Sequence, residues 1–319
     1  MEEGPIELLV IVGPTAAGKS RLALAAALEL DAEIVSADSV QVYRHMDVGS
    51  AKPSAADLDR VNHWCIDLVE PTASFDAASW VDHASEAIRT IAGKGKLPIV
   101  VGGTGFYIRA LLSGLHEVAS IKPEIREAVR NELENYGSAA MHDQLARVDP
   151  EAAARILPTD PQRIGRALEV YRSTGRPLSE HFREERSHSP YRAITIGLWP
   201  PRAILYEAIN RRARAMLREG LVEEVRHLLA LGVKEQSGPL ASLGYRQVCQ
   251  HLRGEITREE LAEAIATGHR KYARRQMTWF RGITTRENQL IHIDPSSGKA
   301  LDELRGIWAN RVQISASAS

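Results

Sequence analysis

Apolar and polar positions along the first hundred residues switch between two periods. Short β-branched runs at residues 6–12, 33–37 and 97–101 have the length and continuity of strands buried on both faces, and the intervening segments 21–30 and 77–92 carry helical spacing. Strand and helix alternating in this way predict a parallel sheet. In such sheets ligands sit beyond the carboxyl ends of the strands. Those ends carry the loops Gly13 to Ser20, Ala37-Asp38-Ser39 and Gly102-Gly103-Thr104-Gly105, which should therefore face one another.

The pattern changes at about residue 115, and up to residue 190 there is hardly any strand character. Asp149-Pro150 and Asp160-Pro161 each place a capping carboxylate before a proline at the first helical position, and Gly175 closes the second of these helices. A β-branched run at 193–198, bounded by Pro190 and Pro200, returns the chain to the sheet. Helices follow at 202–219, 221–231 and 258–281, with the glycine-bearing loop 232–239 among them. No internal repeat is evident, and the Ser/Ala tail 315–319 is expected to fray.

The octapeptide Gly13-Pro14-Thr15-Ala16-Ala17-Gly18-Lys19-Ser20 joins the first strand to the first helix. Backbone N–H groups of such a loop converge on phosphate oxygens, and the positive end of the helix faces the same point. Lys19 adds a cation for the distal phosphate, and the Ser20 hydroxyl is a suitable small ligand for Mg²⁺. A tight glycine turn with a structural lysine is the plainer alternative. The chain therefore reads as an α/β protein with a P-loop NTPase-like parallel sheet flanked by helices. Residues 1–114 and 191–319 form that core, and residues 115–190 form a helical insertion domain.

Many phosphoryl-transfer enzymes with such a loop carry a metal-holding carboxylate at the end of a second buried strand. Here the strand 97–101 ends in Gly-Gly-Thr-Gly, and the carboxylate stands instead at Asp38. That position suits a base acting on an acceptor beside the phosphates, and equally suits a turn cap. A cationic segment at 269–286 contains Arg270, Lys271, Arg274, Arg275, Arg281 and Arg286 and no acidic residue. Ala273, Met277 and Phe280 form one inward stripe on it, so the flanking cations match either a solvated face or a nucleic-acid backbone. Arg163 and Arg166, one turn apart, make a second small cationic site.

Composition narrows the setting. The 319 residues allow one large or two modest domains, and 40 basic against 41 acidic residues leave any nucleic-acid surface local. Cys65 and Cys249 form no CxxC pair, which argues against zinc and a disulfide framework and fits a reducing cytoplasm. Glu2, Glu3 and Glu7 oppose a signal peptide at 6–12. No segment approaches the ~20 apolar residues of a membrane span.

Several strings together resemble the bacterial tRNA dimethylallyltransferases (tRNA isopentenyltransferases) in order and spacing. They are the octapeptide at 13–20, Ala37-Asp38-Ser39-Val40-Gln41-Val42-Tyr43, Met46-Asp47-Val48-Gly49-Ser50-Ala51-Lys52-Pro53 and Gly102-Gly103-Thr104-Gly105-Phe106-Tyr107. Further along come Asp160-Pro161-Gln162-Arg163-Ile164-Gly165-Arg166, Leu243-Gly244-Tyr245-Arg246-Gln247 and Tyr272-Ala273-Arg274-Arg275-Gln276-Met277-Thr278-Trp279-Phe280-Arg281. The departures are mild: Ser50 stands where the family often has threonine, and Trp64-Cys65 interrupts a usually aliphatic segment.

The resemblance implies a transfer of the dimethylallyl group from dimethylallyl diphosphate to N6 of the adenosine next to the anticodon in tRNA, position 37. Gly13, Pro14, Thr15, Ala16, Ala17, Gly18, Lys19 and Ser20 would hold the diphosphate, with Mg²⁺ on Ser20, and Arg212 would add a contact unless it is merely a surface arginine. Asp38 would be the base, and Lys19, Thr15 and Arg212 would share the catalytic work. Ser39, Val40, Gln41 and Thr104 would hold the adenosine beside Asp38, flipped from its stack into a channel between domains. Arg126, Gln162, Arg163, Ile164, Gly165 and Arg166 would contact the anticodon stem-loop, with Gly244, Tyr245 and Arg246 on the same surface. A cytoplasmic monomer is implied. An isopentenyltransferase acting on free adenine nucleotides and a small-molecule kinase are the alternatives.

Overall fold

The computed structural model describes residues 5–114, 121–184, 190–282 and 290–317. The chain opens with β1 (Ile6–Val12), α1 (Lys19–Glu29), β2 (Ala32–Ala37), α2 (Ala55–Arg60), β3 (His63–Trp64), α3 (Ala77–Gly93), β4 (Leu97–Gly102) and α4 (Gly105–Ser113). Among the described residues, four helices follow without a strand: α5 (Pro123–Val148), α6 (Pro150–Arg155), α7 (Pro161–Thr174) and α8 (Leu178–Glu184). The remainder is β5 (Tyr191–Leu198), α9 (Arg202–Arg218), α10 (Leu221–Ala230), α11 (Tyr245–Leu252), α12 (Arg258–Arg281), β6 (Leu290–Ile293) and α13 (Ala300–Ser317). The elements form two compact units, residues 1–112 with 189–319 and residues 113–188.

The larger unit is built on a six-stranded sheet in the order β3-β2-β4-β1-β5-β6, with every pairing parallel. Successive side chains of β1 enter opposite layers. Leu8, Val10 and Val12 join the layer containing Trp80, Ile88 and Phe280, and Leu9 and Ile11 join the layer containing Leu22, Ala23 and Leu304. Both faces being covered explains why these strands are continuous apolar runs rather than alternating ones. The indole of Trp80 donates to the Ser36 carbonyl at 2.9 Å and stacks on Tyr107 at 4.8 Å between ring centres, pinning α3 and α4 to the end of β2.

The sequence expectations miss several elements. β3 and β6 are too short to carry a period, and α11 lies between the loop 232–239 and the helix at 258, a stretch to which the sequence pattern assigns no element. In α13 the helix reaches Ser317, because Leu304 is buried and Ile307 and Trp308 pack with it beside α1, which corrects the expectation of a frayed tail as far as that residue. Ala318 and Ser319 lie outside the described residues.

The smaller unit has its own core, which includes Val129, Met141, Leu145, Ile164 and Leu168. Its buried carboxylate, Asp149, accepts from the N–H groups of Ala152 and Ser179, each at 2.9 Å, and so starts α6 and anchors α8. Burial alone would raise its pKa, but the bonds from Ser179 and Ala152 hold it below the ordinary value.

At the site-bearing end of the sheet the decisive feature is the lack of room beside β4. A Cβ on Gly102 would overlap the Ala37 carbonyl of β2, and Gly103 and Gly105 have the same relation to the side chains of Gln276 and Trp279. Gly102→Ala is expected to cost about 1–3 kcal/mol through overpacking. Urea unfolding should show it as a lower midpoint at an unchanged slope, and an unchanged midpoint would mean that the strand pair yields freely.

Candidate active site

The phosphate loop leaves β1 through Gly13 at φ +148° and enters α1 through Gly18 at φ +87°, a conformation that favours glycine at the second position. Lys19, the first residue of α1, turns back over the loop and donates to the carbonyls of Gly13 and Pro14 at 3.0 and 2.8 Å. Burial, reinforced by the neighbouring Arg212 charge and partly offset by Asp38, brings its pKa down to about 8. Thr15 and Pro14 are buried, and Ser20 is exposed at the start of the helix. Arg212 arrives from α9. Burial lowers its pKa despite the attraction of Asp38, and its Nε is buried without a hydrogen-bond partner among the described residues.

Asp38 follows β2. One carboxylate oxygen accepts from the N–H of Val40 at 2.8 Å and more weakly from that of Gln41 at 3.4 Å, so the turn-capping role is real. The charge also acts on the site, since it is felt by Lys19, Arg212 and Tyr272. Thr104 Oγ1 accepts from the Ser39 N–H at 3.1 Å and ties the β4 loop to the Asp38 loop. The Gln41 side chain is engaged internally, accepting from Ser36 Oγ at 2.8 Å and donating to the carbonyls of Ser50 and Ala51 at 3.3 and 3.2 Å.

The structure thus brings the loop 13–20, Asp38, Ser39, Val40, Gln41, Thr104 and Arg212 to one end of the sheet. Gly244, Tyr245 and Arg246 behave differently. Tyr245 has no exposed surface, its hydroxyl donates to Glu224 at 2.7 Å, and its ring fills the space over Gly49. Its side chain thus supports the 46–52 loop, and of the three residues expected on an RNA-facing surface only Arg246 is exposed. In the smaller unit Arg126, Gln162, Arg163 and Arg166 are exposed, with Arg163 near Asp160 and Arg166 near Glu169, both at 3.5 Å. Ile164 and Gly165 between them are buried against that unit's core, Gly165 against Leu133. Arg286 lies outside the described residues.

Three residues of the site were missed in the sequence. Gln276 is buried; its Oε1 accepts from the Thr15 N–H at 2.8 Å and its Nε2 donates to the Gly103 carbonyl at 2.9 Å, so one amide links the phosphate loop to the β4 loop. Its signal was available: it lies three residues after Ala273 and four before Phe280, a polar residue on the apolar stripe. Glu224 accepts from the N–H groups of Asp47, Val48 and Gly49 at 2.9, 2.7 and 3.1 Å and holds their loop. His269, buried and next to the Arg212 charge, has its pKa lowered to about 4, first by burial and then by that charge. It is a neutral support for a cationic neighbour. These two carry no local signal, because their partners are distant in the chain.

A cleft of about 350 Å³ opens along Arg212, lined also by Val48, Ala51, Ala208, Ala215 and Met216. No helix among the described residues is long and apolar enough to cross a membrane.

Comparison with known proteins agrees over most of the chain. A family model described as IPP transferase matches residues 41–283. A tRNA dimethylallyltransferase of Thermoanaerobacter sp. (strain X514) is 45% identical over 282 residues, 87% of this chain and 89% of its own length. One from Geobacter metallireducens is 45% identical over 294 residues, covering 92% and 94%. Among solved structures, the tRNA isopentenylpyrophosphate transferase of Bacillus halodurans is similar with 35% identity and a TM-score of 0.71, covering 98% of both chains. A eukaryotic dimethylallyltransferase described as acting on tRNA shares the fold, with a TM-score of 0.82 at 24% identity over 98% of this chain and 80% of that one. On a family match that takes in both Thr104 and Arg212, and on relatives this similar end to end, the chain belongs to the IPP transferase family, among the tRNA dimethylallyltransferases.

Proposed function

We propose that this enzyme transfers a dimethylallyl group from dimethylallyl diphosphate to N6 of the adenosine adjacent to the anticodon of tRNA. The carrying observation is the meeting of Lys19, Arg212 and Asp38 beside a strand end that has no room for a metal-holding carboxylate. Two cations, one of them with an unsatisfied buried Nε, call for an anion, and the carboxylate beside them is available to the acceptor. In the reaction the N6 lone pair forms a bond to allylic C1, the C1–O bond breaks, and its electron pair leaves with diphosphate. Asp38 takes the N6 proton through the carboxylate oxygen that does not cap the turn. Lys19, Arg212, the Thr15 hydroxyl and the loop N–H groups stabilise the charge that grows on the leaving group. Lys19 is already desolvated, so its interaction with that charge is stronger than in water.

Ser20 fits a Mg²⁺ ion held jointly with diphosphate oxygens. Its hydroxyl is exposed at the first turn of α1, an oxygen donor of the kind this hard cation prefers. No group of three His, Cys, Asp or Glu among the described residues offers another site. When bound, the ion would neutralise further charge on the leaving diphosphate. Ser39 and Thr104 would hold the adenosine, and the exposed Arg126, Gln162, Arg163 and Arg166 would take phosphates and bases of the anticodon stem-loop. The enzyme would act as a cytoplasmic monomer.

The direct test is incubation with Mg²⁺, dimethylallyl diphosphate and unmodified tRNA, with mass analysis of the digested nucleosides. A five-carbon addition to adenosine of tRNA but not to AMP is expected. Prenylated AMP would favour free nucleotides as acceptors, and phosphate transfer from ATP with unprenylated RNA would overturn the reading.

Asp38→Asn keeps the oxygen that caps the turn and removes the base. It should lower turnover about 10²- to 10⁴-fold with little change in diphosphate affinity; near-normal turnover would leave Asp38 a cap alone. Lys19→Ala should weaken donor binding or turnover.

The lowered pKa of Lys19 also fixes a pH dependence. The free protein loses this cation as pH rises through about 8, so its diphosphate affinity should fall above that pH, by up to about tenfold per unit, and be independent of this group below it. Calorimetry in buffers of different ionisation enthalpy should show proton uptake on binding above pH 8, absent in Lys19→Ala.

A further inference from the structure

Beyond the phosphate loop and Asp38, aromatic and guanidinium groups line up along one edge of the site. Tyr272, on α12, feels the Asp38 charge, and burial followed by that charge raises its pKa to about 12. One turn along, the Arg275 guanidinium lies 5.8 Å from the Tyr272 ring centre. Trp279 follows four residues after Arg275, and its indole packs against Gly105, the residue after Thr104. The Arg109 guanidinium, from α4, lies 5.2 Å from the Trp279 ring centre and 5.9 Å from that of Phe106. The row ends at Phe106, which is 46% exposed two residues beyond Thr104.

The residues come from two helices of the same unit and alternate ring and cation. Neither Arg109 nor Arg275 pairs with a carboxylate among the described residues. Some other exposed arginines of this balanced protein do, including Arg44 with Glu70 and Arg305 with Glu29. A lone exposed phenylalanine would be ordinary, whereas one at the end of a row of unpaired guanidiniums and rings that begins at Tyr272 matches a single-stranded nucleic acid, which offers a flat base and an anionic phosphate at every step. A protein partner reading such a row would need carboxylates and an apolar anchor without any flat π surface, and the ring–cation alternation gives it no advantage.

We propose that Phe106, Arg109, Trp279 and Arg275 form a track for the unpaired RNA nucleotide next to the target adenosine, whose base stacks on the free face of Phe106 while its phosphate meets Arg109 and Arg275. The proposal rests on the tRNA-prenylating reading and adds a recognition surface to it. Stacking on an aromatic side chain tolerates any base, so the track positions the strand without selecting its sequence. It also offers the displaced neighbour a partner in place of the base stack lost when the target adenosine is extruded.

The test uses the full chain and a fluorescent, unmodified anticodon stem-loop RNA. Phe106→Ala should weaken RNA binding roughly tenfold or more, by the usual size of a base–aromatic stack. Phe106→Tyr should bind within about twofold of the unaltered protein, and inorganic diphosphate affinity should be unchanged in both. Replacing the flanking nucleotides of the target one at a time by abasic residues should reveal one position whose loss weakens the unaltered protein but adds little to Phe106→Ala. Phe106→Ala binding RNA within twofold of the unaltered protein, or full additivity at every flanking position, would overturn the track. An unaltered protein that neither binds nor prenylates the RNA would instead overturn the proposed function.

Discussion

The close approach of backbone at the end of β4 is the constraint from which the rest of the site follows. Because Gly102 and Gly103 carry no side chain, the Ala37 carbonyl and the Gln276 amide reach the space that a carboxylate would fill in a phosphoryl-transfer site. The acidic group of this site stands one strand over, at Asp38. Gln276 then bonds the Thr15 N–H and the Gly103 carbonyl at once, so the phosphate loop and the β4 loop are held at one separation. A buried amide with both ends satisfied is a rigid spacer, since losing either bond would leave a desolvated polar group.

Electrostatics complete the arrangement. Burial and then the Arg212 charge depress the protonation of Lys19, burial depresses that of Arg212, and Asp38 offsets only part of each. The free protein therefore holds charge that an incoming diphosphate relieves. Neutral His269 beneath Arg212 avoids adding a third cation. Glu224 steadies the other wall: by accepting from three consecutive N–H groups and from Tyr245 it holds the loop whose Ser50 carbonyl meets both Gln41 and Arg212. Most of the polar groups around the site thus serve geometry, leaving a few for chemistry. That division matches a reaction in which alignment and leaving-group stabilisation carry much of the barrier reduction.

Much of this was legible in the chain itself. The parallel sheet followed from buried strands alternating with helices, and the phosphate loop from eight consecutive residues whose local geometry suffices to make the grip. Asp149-Pro150 and Asp160-Pro161 announced two helix starts for an equally local reason: cap, proline and first turn are neighbours in sequence. Tertiary structure alone decided what depends on distant partners. Tyr245 reads as a surface residue of a polar motif until Glu224 and Gly49 are seen to enclose it, and Ile164 and Gly165 read as part of a cationic string until the core against which they pack is known. Gln276 and Thr15 are 261 positions apart. A hydrogen bond across that separation leaves no period or local spacing in the chain, so local order was written in the sequence, and the meeting of loops at the site emerged only when the strands were laid side by side.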